Sequence, residues 1–431
     1  MRCALLNPNW TFSSSTYFGC REPHLPLELG YARAGLERAG HEVLLVDAHM
    51  GGLSPTDVRA RLAAFAPEMT VITTAPTYLF WRCPQPELRV PAELARAVRR
   101  AAGTLVAAGP HGSAAPGAAL RKLGAEAVVL GECEIVLVAL AEAGVARWEE
   151  VPSLARSVDG AVVVNGEPAA TPPAQLPALF WPAHYVARHR HHHHRFEAPP
   201  LGLGAEVEAS RGCPYRCLFC AKLYARDRYR RRPLPEVLME IDALLAQGVT
   251  YVYFIDEIFL PDEELLRALA ARPVKFGVQT RLDLWERPML DLLGEAGCVS
   301  IEAGVESITA EGQRRLGKHP AASMEEITER LVYARRTVPF VQANLIASEE
   351  DNREQMKAWR ARMAEKGVWA NAPVPLFPYP GSLEYLRRWG LPDDDAWERA
   401  HAHYLAHAGA LSDVQEAAPC PLAELETAHA G

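Results

Sequence analysis

Two stretches of the chain alternate short apolar runs with amphipathic helical segments, and this alternation restricts the possible folds more than any other feature of the 431 residues. The apolar runs of residues 1–150 are CALLNPN, HEVLLVDA, MTVITTAP, TLVAAGP and AEAVVLGE. Strands that alternate with helices are typical of a parallel sheet covered by helices. We therefore predict a doubly wound, Rossmann-like α/β domain over residues 1–150, with its ligand site beyond the carboxyl ends of its strands.

The second alternation begins at GAEVEAS, after a connecting region over residues 151–200. That region contains a predicted hairpin, with Asp159 and Gly160 in its turn, followed by proline-rich and histidine-rich sequence. Strands are predicted at six places: 205–210, 252–256, 275–280, 299–303, 340–346 and 368–373. Six β/α units predict a partial (β/α)6 barrel over residues 201–385, and residues 386–431 read as a helical C-terminal extension.

Charge and composition exclude several classes of function. A net charge of -8 argues against general nucleic-acid binding, which needs a basic face, although the run RDRYRRRP at 226–233 is locally positive. We interpret that run as a solvated face or as the site of one anion. No apolar stretch is long enough to span a membrane, so a cytoplasmic protein is expected. Six cysteines are scattered and expected to be reduced thiols: Cys3, Cys20, Cys83, Cys133, Cys298 and Cys420.

The remaining three cysteines form a compact cluster in SRGCPYRCLFC, at positions 213, 217 and 220. Structural zinc requires four protein ligands, commonly as two cysteine pairs, and no second pair follows in this chain. An iron-sulfur cluster held by three thiolates keeps one iron open for a ligand that the protein does not supply. The spacing therefore favours such a cluster over the zinc alternative.

GCPYRCLFC resembles the C-x3-C-x-aromatic-C loop of radical S-adenosylmethionine (SAM) enzymes, placed after the first strand of a β/α barrel. The resemblance implies a 4Fe-4S cluster on Cys213, Cys217 and Cys220, with SAM bound at the open iron. It also implies reductive cleavage of SAM to a 5'-deoxyadenosyl radical, with electrons from a partner such as flavodoxin or ferredoxin. Phe219 would lie against the adenine; alternatively, it is a core aromatic.

The other predicted strand ends carry charged residues that agree with this resemblance. Asp256 and Glu257 in YFIDEIF are candidates for contact with the SAM amino group. Arg281 in GVQTRLD suits a carboxylate or ribose, and Glu302 and Glu306 lie in IEAGVES at the fourth strand. Charged side chains at the carboxyl ends of barrel strands are typically functional. The alternative for each residue is an ordinary surface charge.

Beside such a barrel, the N-terminal stretches LPLELGYARAGLERAGHEVLLVDA, AAGPHGSAAP and VVLGECE resemble the cobalamin-binding domain of cobalamin-dependent radical SAM enzymes. No G-x-G-x-x-G motif follows the first strand, which argues against a dinucleotide. The resemblance implies contacts with cobalamin from five residues: Thr74, Gly109, His111, Gly131 and Glu132. The alternative is a degenerate domain that binds no cofactor.

DAHMGG (47–52) matches a D-x-H-x-x-G pattern whose histidine binds cobalt in other cobalamin proteins. In those proteins the motif follows the first strand, whereas here it follows the second. We therefore predict that His49 is not a cobalt ligand and that no histidine lies below the cobalt.

The segment HYVARHRHHHHRF (184–196) concentrates histidines between the two predicted domains. Three interpretations are open: a metal site, an anion site for a phosphorylated or carboxylated substrate, and a solvated linker. Because Arg188, Arg190 and Arg195 are interleaved with the histidines, we favour anion binding near the barrel mouth.

Together these features predict a cobalamin-dependent radical SAM enzyme that methylates an unactivated carbon of a small-molecule intermediate, with an anionic substrate as one expectation. Residues 368–382 are expected to line the substrate site, and no catalytic residue is assigned. One alternative is a cobalamin-using cyclase, oxidase or rearrangement enzyme. Another, from a different class, is a non-catalytic iron-sulfur binding or electron-transfer protein.

Overall fold

The computed structural model describes residues 1–11, 22–77, 88–190, 202–222, 224, 226 and 228–408. The described residues contain two large, mainly parallel sheets with helices packed around them, and one short antiparallel ribbon. The predicted α/β class is therefore confirmed. The sequence-predicted residues Cys20, Cys83, Cys420, His191–His194 and Arg195 lie outside the described residues.

The first sheet has seven strands in the order β2-β1-β3-β4-β5-β6-β7. Strands β1 to β5 are parallel, and β6 and β7 continue the sheet as an antiparallel hairpin. The strands are β1 Arg2–Asn7, β2 Glu42–Asp47, β3 Met69–Thr73, β4 Thr104–Ala108, β5 Ala127–Val129, β6 Leu154–Val158 and β7 Ala161–Asn165. The strand order reverses between β1 and β3, which is where such sheets bind ligands.

In the described residues, eight α-helices accompany this sheet and its connection to the second one. They are α1 Leu27–Arg38, α2 Ala48–Gly51, α3 Pro55–Phe65, α4 Arg89–Val98, α5 Pro110–Ala114, α6 Pro116–Leu123, α7 Glu134–Ala143 and α8 Ala183–Arg188. Helix α3 begins after Ser54 because Ser54 and Asp57 form a reciprocal capping box. The hairpin turn also forms as predicted, with positive φ at both Asp159 and Gly160.

The second sheet has six parallel strands in the order β15-β14-β13-β12-β11-β8. The strands are β8 Leu203–Val207, β11 Val249–Phe254, β12 Lys275–Thr280, β13 Cys298–Glu306, β14 Phe340–Leu345 and β15 Trp369–Ala370. A separate antiparallel ribbon pairs β9 Ser210–Arg211 with β10 Arg230–Arg231. All six predicted strands are present, and the β12 prediction matches its bounds. Because spatial order follows chain order, the sheet is wound in one direction, like a section of a β/α barrel.

The helices of this half are α9 Leu234–Ala246, α10 Glu263–Ala270, α11 Arg287–Glu295, α12 Ala310–Arg315, α13 Met324–Ala334, α14 Arg353–Glu365, α15 Leu383–Trp389 and α16 Ala396–Ala408. The core of the second sheet also includes side chains from the N-terminal half. Leu27 and Tyr31 of α1 belong to the same buried apolar cluster as Val207 and Tyr251. Burial of apolar surface therefore holds α1 against the second sheet.

Candidate functional site

The three-cysteine loop begins at the carboxyl end of β8, where active sites of β/α barrels lie. The β9–β10 ribbon brings the residues before and after the loop together, with Arg211 paired to Arg230. Between these ends, Cys213, Cys217 and Cys220 are free thiols of intermediate exposure. The loop is thus anchored at both ends while its sulfur-bearing residues remain accessible.

Gly212 sets the path of the chain into the loop. Its φ is +79°, and a Cβ atom there would lie only 2.1 Å from the carbonyl oxygen of Arg228. Its amide donates a hydrogen bond of 2.6 Å to Oε2 of Glu257. Only glycine fits this combination of left-handed backbone and close approach.

The interior of the loop is held by contacts with its backbone. Lys222 donates from Nζ to the carbonyl oxygen of Cys213. The amide of Leu218 donates to the Leu316 carbonyl at 2.9 Å, and the Leu218 carbonyl accepts from the amide of Glu384 at 2.9 Å. These contacts fix the backbone and leave the three sulfur atoms as the chemically distinctive groups of the loop.

The cysteines suit a multi-metal cluster. Burial raises the pKa of Cys217 to about 11 and that of Cys220 to about 12, and burial also raises the pKa of Cys213. Neutral thiols bind metal by releasing their protons, since the thiolate is the ligand. Among the described residues, another set of side chains, His24, His189 and Glu206, places three potential metal-ligand atoms within 4.8 Å of one another. The three cysteines remain a separate set of accessible thiols, and as thiolates they are the ligands that an iron-sulfur cluster uses.

Asp256 and Glu257 both contact the start of the cysteine loop. Asp256 is buried and accepts from the amide of Ala209 at 2.9 Å and from the hydroxyl of Ser210. Burial raises the pKa of Asp256 to about 7. Glu257 accepts from Gly212 and from Nη1 of Arg226, the latter at 2.7 Å. Both carboxyl groups therefore position the loop, and their contact with the SAM amino group stays a prediction.

Arg281 is held in one orientation by contacts with Tyr215 and Asp283. Its guanidinium lies 4.0 Å from the ring centroid of Tyr215, inside the cysteine loop. It also donates to Asp283 at 2.9 and 3.0 Å. The cation–π contact and the ion pair together hold the Arg281 guanidinium beside the cysteines, where it can bind a carboxylate.

The remaining predicted barrel residues lie on β13 or in the loop. Glu302 is partly exposed and aligns with Gln279 and Gln342 on the neighbouring strands. Glu306 ends β13 and pairs with Lys318. Phe219 is partly buried, directly before Cys220. Their predicted contacts with SAM stay predictions.

Three of the predicted cobalamin-binding residues lie at the carboxyl edge of the first sheet. Thr74 follows β3 and is fully buried, with its amide donating to the Ala108 carbonyl at 3.0 Å. Gly109 follows β4 and precedes α5. His111 in α5 is fully buried, and its ring centroid lies 4.4 Å from that of Trp397 in α16. Helix α16 thus covers this part of the edge.

Gly131 and Glu132 have structural partners at the same edge. A Cβ at Gly131 would lie 2.4 Å from the carbonyl oxygen of Ala169, so glycine permits the bridge between these two segments. Glu132 is buried and pairs with Arg211 at 3.1 Å and with Arg230. The arginines lower the pKa of Glu132 to about 2 against the opposing effect of burial. Glu132 therefore links the two sheets, and its contact with cobalamin stays a prediction.

The interpretation of 226–233 as a solvated face is wrong for two of its arginines. Arg226 is buried and pairs with Glu208 at 2.6 Å and with Glu257 at 2.7 Å. Arg232 is also buried and pairs with Glu240 at 2.9 Å. Carboxylates from distant parts of the chain offset the cost of burying these charges.

His49 lies in a short capped helix rather than in an open loop. Asp47 caps α2 by accepting from the amide of Met50 at 2.7 Å, and Gly52 ends the helix with a left-handed backbone. The motif follows β2, which is an edge strand, whereas the reversal of strand order lies between β1 and β3. This placement supports the prediction that His49 is not a cobalt ligand.

Sequence reasoning missed several residues that shape the site: Arg211, Glu208, Lys222, Lys318 and Tyr215. Only Tyr215 had a local signal, because it lies between two of the cysteines. Arg211, by contrast, acts through a contact with Glu132, 79 residues away, which no local pattern reveals. Among the described residues, no helix is both long and apolar enough to cross a membrane.

Comparison with known proteins agrees with this geometry. Residues 207–360 match the model of the Radical SAM superfamily. The chain is 27% identical over 372 residues to Hopanoid C-3 methylase of Methylococcus capsulatus (strain Bath), covering 83% of this chain and 67% of the relative. It is 23% identical over 302 residues to Uncharacterized methyltransferase PH0819 of Pyrococcus horikoshii, covering 68% of this chain and 63% of the relative. The chain thus spans about two thirds of the length of these curated relatives.

A solved structure of TsrM from Kitasatospora setae, a radical S-adenosylmethionine methyltransferase with cobalamin and a [4Fe-4S] cluster bound, has the same fold. The TM-score is 0.67 at 22% identity, and the match covers 89% of this chain and 73% of that one. The three-cysteine loop and strands β11 to β14 therefore lie within the region that matches the Radical SAM superfamily. Over most of its length the chain is similar to curated relatives named as methylases and methyltransferases, and it shares the fold of a radical SAM methyltransferase solved with cobalamin bound.

Proposed function

We propose that this enzyme transfers a methyl group to an unactivated carbon of a small molecule and that each sheet serves one cofactor. Residues 1–150 would bind cobalamin, residues 151–200 would connect the halves, residues 201–385 would form the partial radical SAM barrel, and residues 386–431 would extend it. The methylase and methyltransferase names of the relatives support this proposal.

One observation carries the proposal: the carboxyl ends of the two sheets meet. Glu132 follows β5 of the first sheet, and Arg211 follows β8 of the second, and their side chains form a buried ion pair. Glu28 in the helix after β1 lies 3.4 Å from Arg226, beyond the cysteine loop. Ligands of parallel α/β sheets bind at these carboxyl ends, so two cofactors bound there would face one another.

On the barrel side, Cys213, Cys217 and Cys220 would hold the 4Fe-4S cluster. When bound, the cluster and SAM would supply an electron and a carbon radical that abstracts hydrogen from the substrate. Arg281, held by Tyr215 and Asp283, would orient the SAM carboxylate or ribose. Asp256 and Glu257 would keep the loop in position through Ala209, Ser210 and Gly212.

On the N-terminal side, Thr74, Gly109 and His111 would contact cobalamin. When bound, cobalamin would supply the methyl group. Helix α16 would shield this edge from water through Trp397, whose ring packs against that of His111 at an interplanar angle of 39°. Exclusion of water protects reactive species from side reactions.

The substrate is proposed to be a small molecule. The Methylococcus relative is named for hopanoids, and a TsrM structure contains tryptophan. Residues 368–382 would line the substrate site. Electrons would come from a reducing partner such as flavodoxin or ferredoxin.

A second candidate function is radical cyclisation without methyl transfer. It is favoured by one similarity, 28% identity over 179 residues to Anaerobic magnesium-protoporphyrin IX monomethyl ester cyclase of Cereibacter sphaeroides. This match covers 38% of the chain, against 83% for Hopanoid C-3 methylase, so methylation is the better supported function.

The test is anaerobic reconstitution with iron, sulfide and hydroxocobalamin, followed by a chemical reductant and SAM. We expect release of 5'-deoxyadenosine and a change in the electron paramagnetic resonance spectrum of the reduced cluster when SAM is added. The triple variant Cys213→Ala, Cys217→Ala, Cys220→Ala should lose nearly all bound iron and sulfide while the first sheet stays folded. Iron near the wild-type level in that variant, or no cleavage of SAM by the wild type, would contradict the proposal. The second outcome would favour a non-catalytic iron-sulfur protein.

A further inference from the structure

Three buried ligand-type side chains meet away from the cysteine loop: His24, His189 and Glu206. Their exposed fractions are 4%, 3% and 0%, and one potential ligand atom from each lies within 4.8 Å of the other two. His24 precedes α1, His189 follows α8, and Glu206 lies on β8, so the group joins three segments that are remote in sequence. It is independent of the cobalamin and cluster sites proposed above.

We infer that His24, His189 and Glu206 bind one divalent transition-metal ion, with Zn²⁺ as the best match. Two imidazoles and one carboxylate form a known protein ligand set for zinc, and the same ligand types can bind Fe²⁺. Ligands of a tetrahedral ion with bonds of about 2.0–2.1 Å lie about 3.4 Å apart. Nδ1 of His24 and Oε1 of Glu206 are 2.8 Å apart, so small side-chain adjustments admit an ion.

Hydrogen bonds use some of the same atoms when no ion is bound. His24 Nδ1 and Glu206 Oε1 share one contact, and Nδ1 of His189 accepts from the amide of Leu25 at 3.2 Å. An ion that took these atoms would exchange the hydrogen bonds for coordinate bonds, and the proton between His24 Nδ1 and Glu206 would move to Nε2 of His24 or to solvent. Metal ligands must be deprotonated, so this exchange is the normal course of metal binding.

The surrounding charges favour a cation. Glu206 contributes one negative charge, and Asp47, which interacts electrostatically with His24, is a second buried carboxyl group. Glu206 therefore offsets half of the charge of a divalent ion; burial raises the pKa of Asp47 to about 7, so Asp47 offsets the rest only when it is ionised. Arg188, the residue before His189, is a positive charge in this segment. Its guanidinium donates to the Met50 carbonyl at 3.0 Å, so it has a backbone partner of its own.

The ion would join the N-terminal half to the second sheet. The amide of Arg190 donates to the Pro23 carbonyl at 2.8 Å, so the segments bearing His189 and His24 already run together. Glu206 adds β8 to this pair. A metal ion that binds the folded chain and not the unfolded chain raises the free energy of unfolding.

The experiment measures metals by mass spectrometry after the anaerobically purified enzyme has been exposed to Zn²⁺ and desalted. We expect about one zinc per chain, held in the triple Cys→Ala background as well as in the cluster-bound enzyme. His189→Gln and Glu206→Gln should each lose it. His184→Gln is the matched control, because His184 belongs to the same histidine-rich segment but is exposed. Replacement of His191–His194 by Gln should also leave the tightly held ion in place.

Zinc X-ray absorption of the unmutated enzyme provides a measurement that does not depend on the folding of variants. Nitrogen and oxygen neighbours, with two imidazoles and no sulfur, are expected. Three results would overturn the inference: no retained ion, sulfur in the zinc shell, or loss of the ion only when His191–His194 are replaced. The last result would assign metal binding to the histidine run itself.

Discussion

Nη1 of Arg211 lies 3.1 Å from Oε2 of Glu132, and both side chains are only 1% exposed. The pair joins the residue that precedes Gly212 and the cysteine loop to the loop that follows β5 of the other sheet. Arg211 also contacts Glu134 and Glu208, each at 2.7 Å. One buried guanidinium therefore contacts three carboxyl groups where the two sheets meet, and Arg230 and Arg226 pair with two of them as well.

Arg211→Leu should destabilise the fold strongly. It leaves three carboxyl groups without their shared cation, and breaking a buried ion pair typically costs about 3–5 kcal/mol. The matched control is Arg33→Leu, because Arg33 and Glu37 form an exposed pair whose loss should cost less than about 1 kcal/mol. Chemical denaturation measures both values. Equal costs would show that the buried network contributes no more than a surface pair.

Gly212→Ala should displace the cysteine loop and reduce cluster occupancy. The new methyl group would meet the Arg228 carbonyl at 2.1 Å, in addition to the strain of a positive φ. Gly248→Ala is the control, because Gly248 has a φ of +86° but open space around its Cβ position. We expect the control to lose about 1–2 kcal/mol of stability and to keep its iron. Full iron content in Gly212→Ala would contradict the proposed role of the glycine.

Asp256 should make the fold less stable as pH rises. Its folded-state pKa of about 7 lies above the value of about 3.9 in an unfolded chain, so its contribution is complete below about pH 4 and is lost toward pH 7. Asp256→Asn should remove this loss, which corresponds to about 1.4 kcal/mol per pKa unit. Denaturation of the cluster-free enzyme at several pH values tests this.

Asp242→Asn is the comparison for that experiment, because Arg272 lowers the pKa of the half-exposed Asp242. This variant should keep the loss of stability between about pH 4 and pH 7. An unchanged pH profile in Asp256→Asn would show that the buried carboxyl group is not the source.

His49→Ala should leave the spectrum of bound cobalamin unchanged, with about one equivalent bound. The reason is that His49 lies in the helix after the edge strand β2. His111→Ala should instead weaken cobalamin binding, because His111 lies at the carboxyl edge beyond β4. Titration with hydroxocobalamin, followed by absorption spectroscopy, compares the two. A shift in the cobalt spectrum of His49→Ala would show that this histidine binds cobalt.

The strands and the cysteine cluster were predictable because their signals are local. Apolar runs such as Met69–Thr73 are typical of a strand buried on both faces, and the spacing of Cys213, Cys217 and Cys220 can be read directly. The buried charges were not predictable in the same way. Arg226 reads as one member of a solvated basic run, but it contacts Glu28, 198 residues away. Local charge does not reveal which carboxyl group the fold will bring to an arginine.

The same limit applies to His24, His189 and Glu206. His24 and Glu206 are 182 residues apart, and neither belongs to a motif in the sequence. His189 is part of the histidine-rich segment, which by composition suggested metal, anion or solvent contact with no means of choosing among them. Only the packing of α1 and α8 against β8 brings the three side chains together.

The central claim is methyl transfer between the two facing cofactor sites, and one measurement tests it most directly. The reconstituted enzyme is incubated anaerobically with SAM carrying a trideuterated methyl group, a reductant and extracts of candidate metabolites, and the products are analysed by mass spectrometry. We predict a product that carries the trideuterated methyl group on carbon, together with 5'-deoxyadenosine, and neither product from the triple Cys→Ala variant. A substrate-dependent product without the label, formed with 5'-deoxyadenosine, would contradict methyl transfer and identify the cyclase, oxidase or rearrangement alternative.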